Sequence, residues 1–210
     1  MDDYRSLKVT TQAASVDLIS LANLKAALNI TDTSLDAFLQ SEITAASGVV
    51  AAACNRTLVN EVVEETIRYV HPYRRRAALR LTRYPIVAVS MVTVDGVDLS
   101  DSDYEVVNQS GFLQRLSNDG IIQWSGSKVV VAYSGGFTLG ANVPSGLSEA
   151  VTRMVKAKYY AQSRDPMIKG EDVVGVGSTQ YWVGSAPGGG DAGLPADIMG
   201  LISPFRELPV

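Results

Sequence analysis

PSGLSEAVTRMVKAKYYAQSR, residues 144–164, decides how the rest of the chain is read. At about 100° per residue, Leu147, Ala150, Val151, Met154, Val155, Ala157 and Ala161 gather on one side, and Glu149, Thr152, Arg153, Lys156, Tyr160, Ser163 and Arg164 on the other. This is an amphipathic helix with a core side and a contact side. Pro144 suits the first turn, where its missing N–H costs nothing. Asp165-Pro166 stops the helix, because a proline ring disfavours helical geometry in the residue before it.

Upstream, Ser20 can cap a short helix over 21–28 with Leu21, Leu24 and Leu28 on one face, and 29–32 is a turn. Thr33 or Ser34 then caps a longer helix to about Cys54, with Leu35, Phe38, Leu39, Ile43, Ala46, Val49, Val50 and Ala53 at helical spacing. Its end, AASGVVAAAC, is rich in small residues that permit close approach of a neighbouring helix or subunit; packing within the chain is the plainer use. Residues 1–16 show no sustained period and read as an extended arm.

Between 58 and 138 the period turns from helical to alternating, with β-branched runs at 62–70, 77–81, 86–94 and 128–133 and shorter strands at 104–107 and 112–116. Asp95-Gly96 marks a hairpin, since such turns need positive φ. Tyr84-Pro85 interrupts the region and Gly135-Gly136 closes it. Residues 165–193 are glycine-rich, with strand arms expected at 173–176 and 180–183; a connection this long is functional or disordered. Pro195 opens a last short helix with Ile198, Met199, Leu201, Ile202 and Phe205 apolar, broken at Ser203-Pro204.

With 210 residues, 46% of them hydrophobic, the chain can build a real core. No run of about 18 apolar residues spans a bilayer and MDDYRSLKV lacks the apolar block of a signal peptide, so a soluble protein with no membrane partner is expected. A net charge of −4 argues against a protein that grips nucleic acid. Local basic surfaces remain: Arg74, Arg75 and Arg76 form either a solvated connection or a contact for phosphates or an acidic protein, and Arg153, Lys156 and Arg164 form a stripe. Lys158 falls toward the apolar side of the helix, which makes it the candidate for an inter-subunit ion pair.

Catalytic chemistry is poorly supplied. One cysteine, Cys54, and one histidine, His71, exclude an internal disulfide and a cysteine-built zinc site. A Cys54–His71 nucleophilic pair lacks a third orienting group, and a small buried thiol at the end of an Ala-rich helix is the plainer reading. Glu64-Glu65 and Asp98, Asp101 and Asp103 could serve acid/base or cation chemistry, yet the aspartates follow a hairpin and lack the terminal glutamate of a calcium loop. The Gly175–Gly177 stretch has no full phosphate-cradling pattern. No catalytic residue, cofactor or metal is expected.

Four pieces of sequence, taken in order, resemble the head–tail connector, or adaptor, proteins of long-tailed phages, prophages and gene-transfer particles. They are LISLANLKAALNITDTSLDAFLQSEITAASGVVAAACNRTL, RYPIVAVSMVTVDGVDL, VPSGLSEAVTRMVKAKYYAQSRDP and ADIMGLISPFREL. Leu21, Leu24, Leu28, Asp32 and Asn55-Arg56 stand where that family has its opening helices. The family ending Leu-Leu-x-Pro-Tyr-Arg is met by Leu201-Ile202-Ser203-Pro204-Phe205-Arg206, with Phe in place of Tyr.

The resemblance implies an α+β fold: a small bundle of about four helices with an inserted antiparallel β region. It would divide into an arm and helical pair (1–56), the β insertion (57–143), the central helix (144–164), a Gly-rich loop (165–193) and a docking helix with its tail (194–210). It implies a non-catalytic virion protein in a ring of about twelve copies under the portal, with DNA passing through. Expected partners are the portal protein, neighbouring copies, a stopper or tail-completion protein and double-stranded DNA in transit; the expected place is the virion neck, and the host cytoplasm before assembly. Ile198, Leu201, Ile202, Pro204, Phe205 and Arg206 would dock on the portal as a segment separable from the fold. Arg153, Lys156, Lys158 and Arg164 would face a subunit seam or channel. A tail-completion or stopper protein is one alternative. A carbohydrate-binding β module using Trp124, Trp182 and tyrosines is another.

Overall fold

Ser20 caps the first helix as its sequence suggests, its hydroxyl accepting the Asn23 N–H at 3.2 Å. In the computed structural model, which describes residues 4–69, 76–162, 170–173, 177–180 and 194–207, this helix α1 covers Leu21–Leu28. It ends because Asn29 turns left-handed at φ 56°, a conformation Asn tolerates, and returns its N–H to the last turn. Helix α2, Asp36–Ala53, starts without a side-chain cap. The cap expected from Ser34 fails because Asp32 takes both the Ser34 N–H (3.0 Å) and its hydroxyl. Lys25 and Asp36, 2.6 Å apart, tie the two helices instead.

The described residues contain two further α-helices, α3 (Ser145–Ala161) and α4 (Ala196–Ile202). Pro144 sits at the cap of α3 and not inside it, where its carbonyl accepts the Leu147 N–H. Leu147, Ala150, Val151 and Val155 are buried as the spacing predicts, but Thr152 joins them and Ala157 does not. Thr152 can leave water because its hydroxyl donates back to the Ser148 carbonyl at 2.8 Å. Helix α4 runs back along the first half of α3, from Leu201 beside Gly146 to Asp197 beside Arg153, which leaves Ala157 uncovered. These four helices, from Val16–Arg56 and Asn142–Val210, form one unit in which α1, α2 and α4 all contact α3. A two-stranded antiparallel ribbon, β10 (Gly170–Val173) with β11 (Gly177–Gln180), falls in the same stretch and starts three residues before each expected arm.

The second unit, Met1–Ser15 with Thr57–Ala141, is built of strands. Strands β1 (Tyr4–Thr11), β2 (Glu61–Arg68), β9 (Lys128–Gly135), β4 (Ile86–Val94) and β5 (Val97–Asp98) form a sheet in that spatial order. Strands β3 (Ala78–Arg80), β7 (Phe112–Ser117) and β6 (Tyr104–Val107) form another, with β8 (Gly120–Ile122) on β7. Every strand pair is antiparallel, so the chain is α+β. The expected arm is thus the edge strand β1: Leu7 and Val9 pack on the core, two apolar residues being too few to show a period. The unit has a core of Val63, Ile67, Val129, Val131, Leu113 and Trp124, among others. Asp95-Gly96 makes the expected turn, with φ of 50° and 87° between paired Val94 and Val97. Gly136 is required where it stands: φ is +115° and a Cβ would lie 2.2 Å from the Val59 carbonyl.

Alternation along β2 puts Glu64 outward and Glu65 inward, and the Glu65 side chain is 0% exposed. Its two oxygens accept from four donors: Tyr133 Oη (2.8 Å), Thr82 N–H (2.9 Å), Thr82 Oγ1 (2.8 Å) and Arg5 Nη1 (3.2 Å). Burial, with the Glu65 charge beside it, pushes the Tyr133 hydroxyl far above its ordinary pKa. Because removing one partner of a buried pair strands the others, Glu65→Ala is expected to cost about 3–5 kcal/mol. Tyr133→Phe, which removes a single bond to a charged group, is expected to cost about 1.5–3 kcal/mol. Urea denaturation followed by circular dichroism measures both, and a Glu65→Ala cost below about 1 kcal/mol would refute this role.

Candidate functional site

The C-terminal segment carries the residues expected to dock. Within its unit, Ile198 and Ile202 of α4 are buried, Leu201, Phe205 and Arg206 are half-buried, and Pro204 is exposed. The segment is not separable from the fold as expected, because its two isoleucines already cover α3. After α4 a 3-10 turn over Ser203–Phe205 brings Arg206 Nε to the Ala53 carbonyl (3.2 Å) and the Glu207 N–H to the Cys54 carbonyl (2.8 Å). These donors satisfy the open carbonyls at the end of α2, and the Arg206 charge suits a helix C-terminus. Beside this segment lies a groove of about 500 Å3 lined by Ile19, Asn23, Ser145, Gly146, Glu149 and Leu201.

Of the expected cation stripe on α3, Arg153 is engaged within the chain. Arg153 bonds Glu149 at 2.8 Å and Asp197 at 3.1 Å, tying α3 to α4. Lys158 is exposed and pairs with Glu42 of α2 at 2.5 Å, so its ion partner lies in its own chain, 116 residues away, where an inter-subunit partner was expected. Lys156 is exposed and forms no ion pair among the described residues. Arg76 is exposed at the entry to β3, its carbonyl accepting the Trp124 N–H at 3.0 Å. Arg74, Arg75, Arg164, His71, Trp182 and Gly175 lie outside the described residues.

The candidate chemistries dissolve on inspection of their partners. Asp101 accepts from Tyr104 Oη at 2.8 Å and Asp103 accepts the Ser100 N–H at 3.1 Å, so these carboxylates do not converge on a cation. Among the described residues, no three His, Cys, Asp or Glu side chains are grouped to hold a metal ion. Trp124 is wholly buried in the β core, so it cannot be the stacking platform the carbohydrate reading needs. Sequence reasoning named Glu65 only as half of a candidate acid/base or cation pair, not as a buried structural carboxylate, and missed Asp17, which is buried and accepts from Gln40 and Thr44, each at 2.8 Å. Strand β8 was missed too, although Asn118-Asp119-Gly120 carries a turn signal and both Asn118 (φ 46°) and Asp119 (φ 60°) are left-handed.

A family model of head completion proteins matches residues 17–180. The chain belongs to the head completion protein family. No curated protein matches its sequence significantly. Solved structures share the fold over almost the whole chain. A chain in the neck of an empty gene transfer agent particle computed with C6 symmetry aligns with a TM-score of 0.57 at 18% identity, covering 98% of this chain and 97% of its own. A chain in the neck of the native particle computed with C12 symmetry gives 0.50 at 17% identity, with the same coverage. A chain from the virion of the native particle gives 0.55 at 17% identity, covering 97% and 96%. The resemblance to head–tail connector proteins, drawn from four short pieces, thus extends to a family match and to the fold as a whole.

Cys54 gives this head completion protein a pH signature. Burial pushes its thiol from the ordinary 9.0 up to about 11, against the pull of Arg56 and Arg206. The folded state therefore keeps a proton that the unfolded chain releases: the stability is fully present below pH 9 and is lost as pH rises toward 11. Between those values the protein is expected to lose about 2–3 kcal/mol more than Cys54→Ala does. Parallel urea titrations at pH 8.5 and 11 check this, and equal losses in the two proteins would refute it.

Proposed function

We propose that this head completion protein is a structural component of the virion neck, forming a ring of copies under the portal that extends the DNA channel toward the tail. The observation that carries the reading is the family match over residues 17–180. The whole-chain fold likeness to chains from gene transfer agent necks supports it, and the C12 symmetry of one such neck supports about twelve copies per ring. A non-catalytic role agrees with titratable groups that are engaged structurally. Net charge −4 suits a conduit through which DNA slides, since dense phosphate contacts would hold it. No described helix is long and apolar enough to cross a membrane.

Portal docking falls to what the fold leaves accessible in the C-terminal segment: Pro204, with Leu201, Phe205 and Arg206 half-exposed around it. Lys156 is the stripe cation left for a neighbouring copy or the channel, with Arg164 and the Arg74–Arg76 cluster as further contacts. The family description, head completion, also favours a second reading, a stopper or tail-completion role whose main contact is the tail side. Cross-linking from Pro204 separates the two: products with the portal support the first, products with a tail protein the second.

Quantitative mass spectrometry of purified particles from the source strain is expected to find close to one copy of this chain per portal subunit. Complete absence of the chain from intact particles would defeat the neck reading. Among variants, Ile202→Ala is expected to lower stability by about 2–5 kcal/mol by opening a cavity, whereas Pro204→Glu, which loosens the turn that Pro204 sets, costs only about 0.4–1 kcal/mol yet lowers particle-borne copies. Wild-type copy number for Pro204→Glu would remove Pro204 from the docking surface.

A further inference from the structure

Resting on the reading of the protein as a ring of copies, we propose that neighbouring copies join through the two opposite edges of the five-stranded sheet. Strand β1 of one copy would lie beside β4 and the acidic turn after β5 of the next, so the partner at each edge is a second copy of this chain.

Among the described residues the β1 edge is open, and the β4 edge is open between Ile86, whose N–H is given to the Asn108 carbonyl, and Val92, whose carbonyl accepts the Leu99 N–H. β1 pairs with β2 alone, and β4, though paired with β9 along its length, meets β5 only at Thr93 and Val94. The uncovered part of β4, residues 87–91, has no charged residue, and Val87 is 50% and Met91 37% exposed. An apolar, uncharged edge of this kind is a site that another strand covers.

Direction and charge identify the cover. In the order β1-β2-β9-β4 every neighbour is antiparallel, so β1 and β4 run oppositely and a further β1 beside β4 continues the alternation without a reversal of the chain. β1, YRSLKVTT, carries Arg5 and Lys8 and no acid. At its start Tyr4 lies opposite Arg68, and Arg68 opposite Lys128. Two exposed like charges directly opposite one another on adjacent strands are unfavourable unless an anion faces them. On the other edge, residues 97–105 carry Asp98, Asp101, Asp103 and Glu105 and no base. The two sets lie at the same end of the sheet, because Val94, at the hairpin turn, pairs with Val129 next to Lys128. Because β5 already fills the lane beside Thr93 and Val94, the incoming β1 starts where β5 ends, which brings Arg68 of one copy near Asp98 and Asp101 of the next. Pairing of like edges is disfavoured, since two β1 edges bring Lys8 and Arg68 against their own copies and two β4–β5 edges bring the aspartates together. Unlike edges make a heterologous contact, the kind that builds a ring when the rotation per copy closes.

The test joins copies covalently in particles. Ser6 and Met91 lie on the same outer face of the sheet, through the rows Ser6–Thr66–Val130 and Ala132–Met91. A chain carrying both Ser6→Cys and Met91→Cys, treated in purified particles with a short bismaleimide, is expected to give a ladder of covalent oligomers. Either single variant is expected to stay monomeric, as is the wild type, whose Cys54 is buried. Particles that hold the chain at ring stoichiometry but give no ladder overturn the inference and leave the neck reading standing. Dimers from a single variant overturn it in favour of a two-fold contact. Absence of the wild-type chain from particles overturns the neck reading and the inference with it. Charge exchange supplies an independent measurement: Arg68→Glu alone and the pair Asp98→Lys with Asp101→Lys are each expected to lower particle-borne copies about tenfold or more, and the three together to restore them to within about twofold. Failure of the combined variant to recover, while it folds as the wild type does, also overturns the proposal.

Discussion

The buried stripe of α3 has to be covered, and the helical unit is arranged around that requirement. Leu147, Ala150, Val151 and Val155 leave water on one side of a helix whose other side is charged. Helix α2 supplies part of the cover from its own buried stripe of Leu39, Ile43, Ala46 and Val50, and α4 supplies the rest with Ile198 and Ile202. Each large aliphatic so buried contributes about 1.5–3 kcal/mol, which for a helix as short as α4 exceeds anything its backbone propensity could offer. The C-terminal stretch is therefore committed to its own chain first. Ser203-Pro204 breaks the helix at the point where Arg206 and Glu207 can reach the last carbonyls of α2, so the Pro-Phe-Arg ending is a closure of the fold whose outer surface remains for others.

In the β unit the corresponding constraint is electrostatic. A carboxylate at 0% exposure is tolerated only when every lone pair is answered, and Glu65 draws its answers from three places in the chain: Arg5 on β1, Thr82 in the turn after β3, and Tyr133 on β9. Tyr133 Oη in turn accepts the Arg83 N–H at 2.9 Å, and Arg83 Nε reaches Glu61 at 2.8 Å. The network fixes the edge strand β1 and the turn after β3 to the centre of the sheet. A purely apolar core would bury the same area and leave both free to slide, whereas donors with fixed directions allow one register.

Where the deciding interaction is local, the sequence is a sufficient guide. Leu21, Leu24 and Leu28 at spacings of three and four give α1 with both of its ends, and Asp95-Gly96 gives its hairpin, because each needs only neighbours within one turn. The β region's long alternating runs were legible for the same reason. Glu65 was not, since its partners lie 17, 60 and 68 residues away and an inward glutamate on a strand looks like any other until they are placed. Ile198 and Ile202 illustrate a different limit: an apolar helix face reads identically whether its own chain or a partner covers it. Lys158 shows the same, for its partner Glu42 carries no mark of being reserved for it.

What a protein leaves unengaged is a better guide to its work than what it contains. Cys54 is buried beside the end of α2, Asp95 takes the N–H groups of Ser127 and Lys128, Asp101 and Asp103 serve their own turn, and Arg153 fastens two helices. Each of those groups has a structural place within its own chain. The unengaged remainder is of another kind: apolar positions such as Val87 and Met91 on a sheet edge, and cations such as Arg68 and Lys128 set side by side. Such features cost stability in an isolated chain, because exposed apolar edges invite association and like charges repel. Under the proposed edge pairing, the next copy supplies a strand for the one and carboxylates for the other. A chain that retains such features while its reactive groups serve its own fold fits the assembly reading, and membership of the head completion family agrees with that reading.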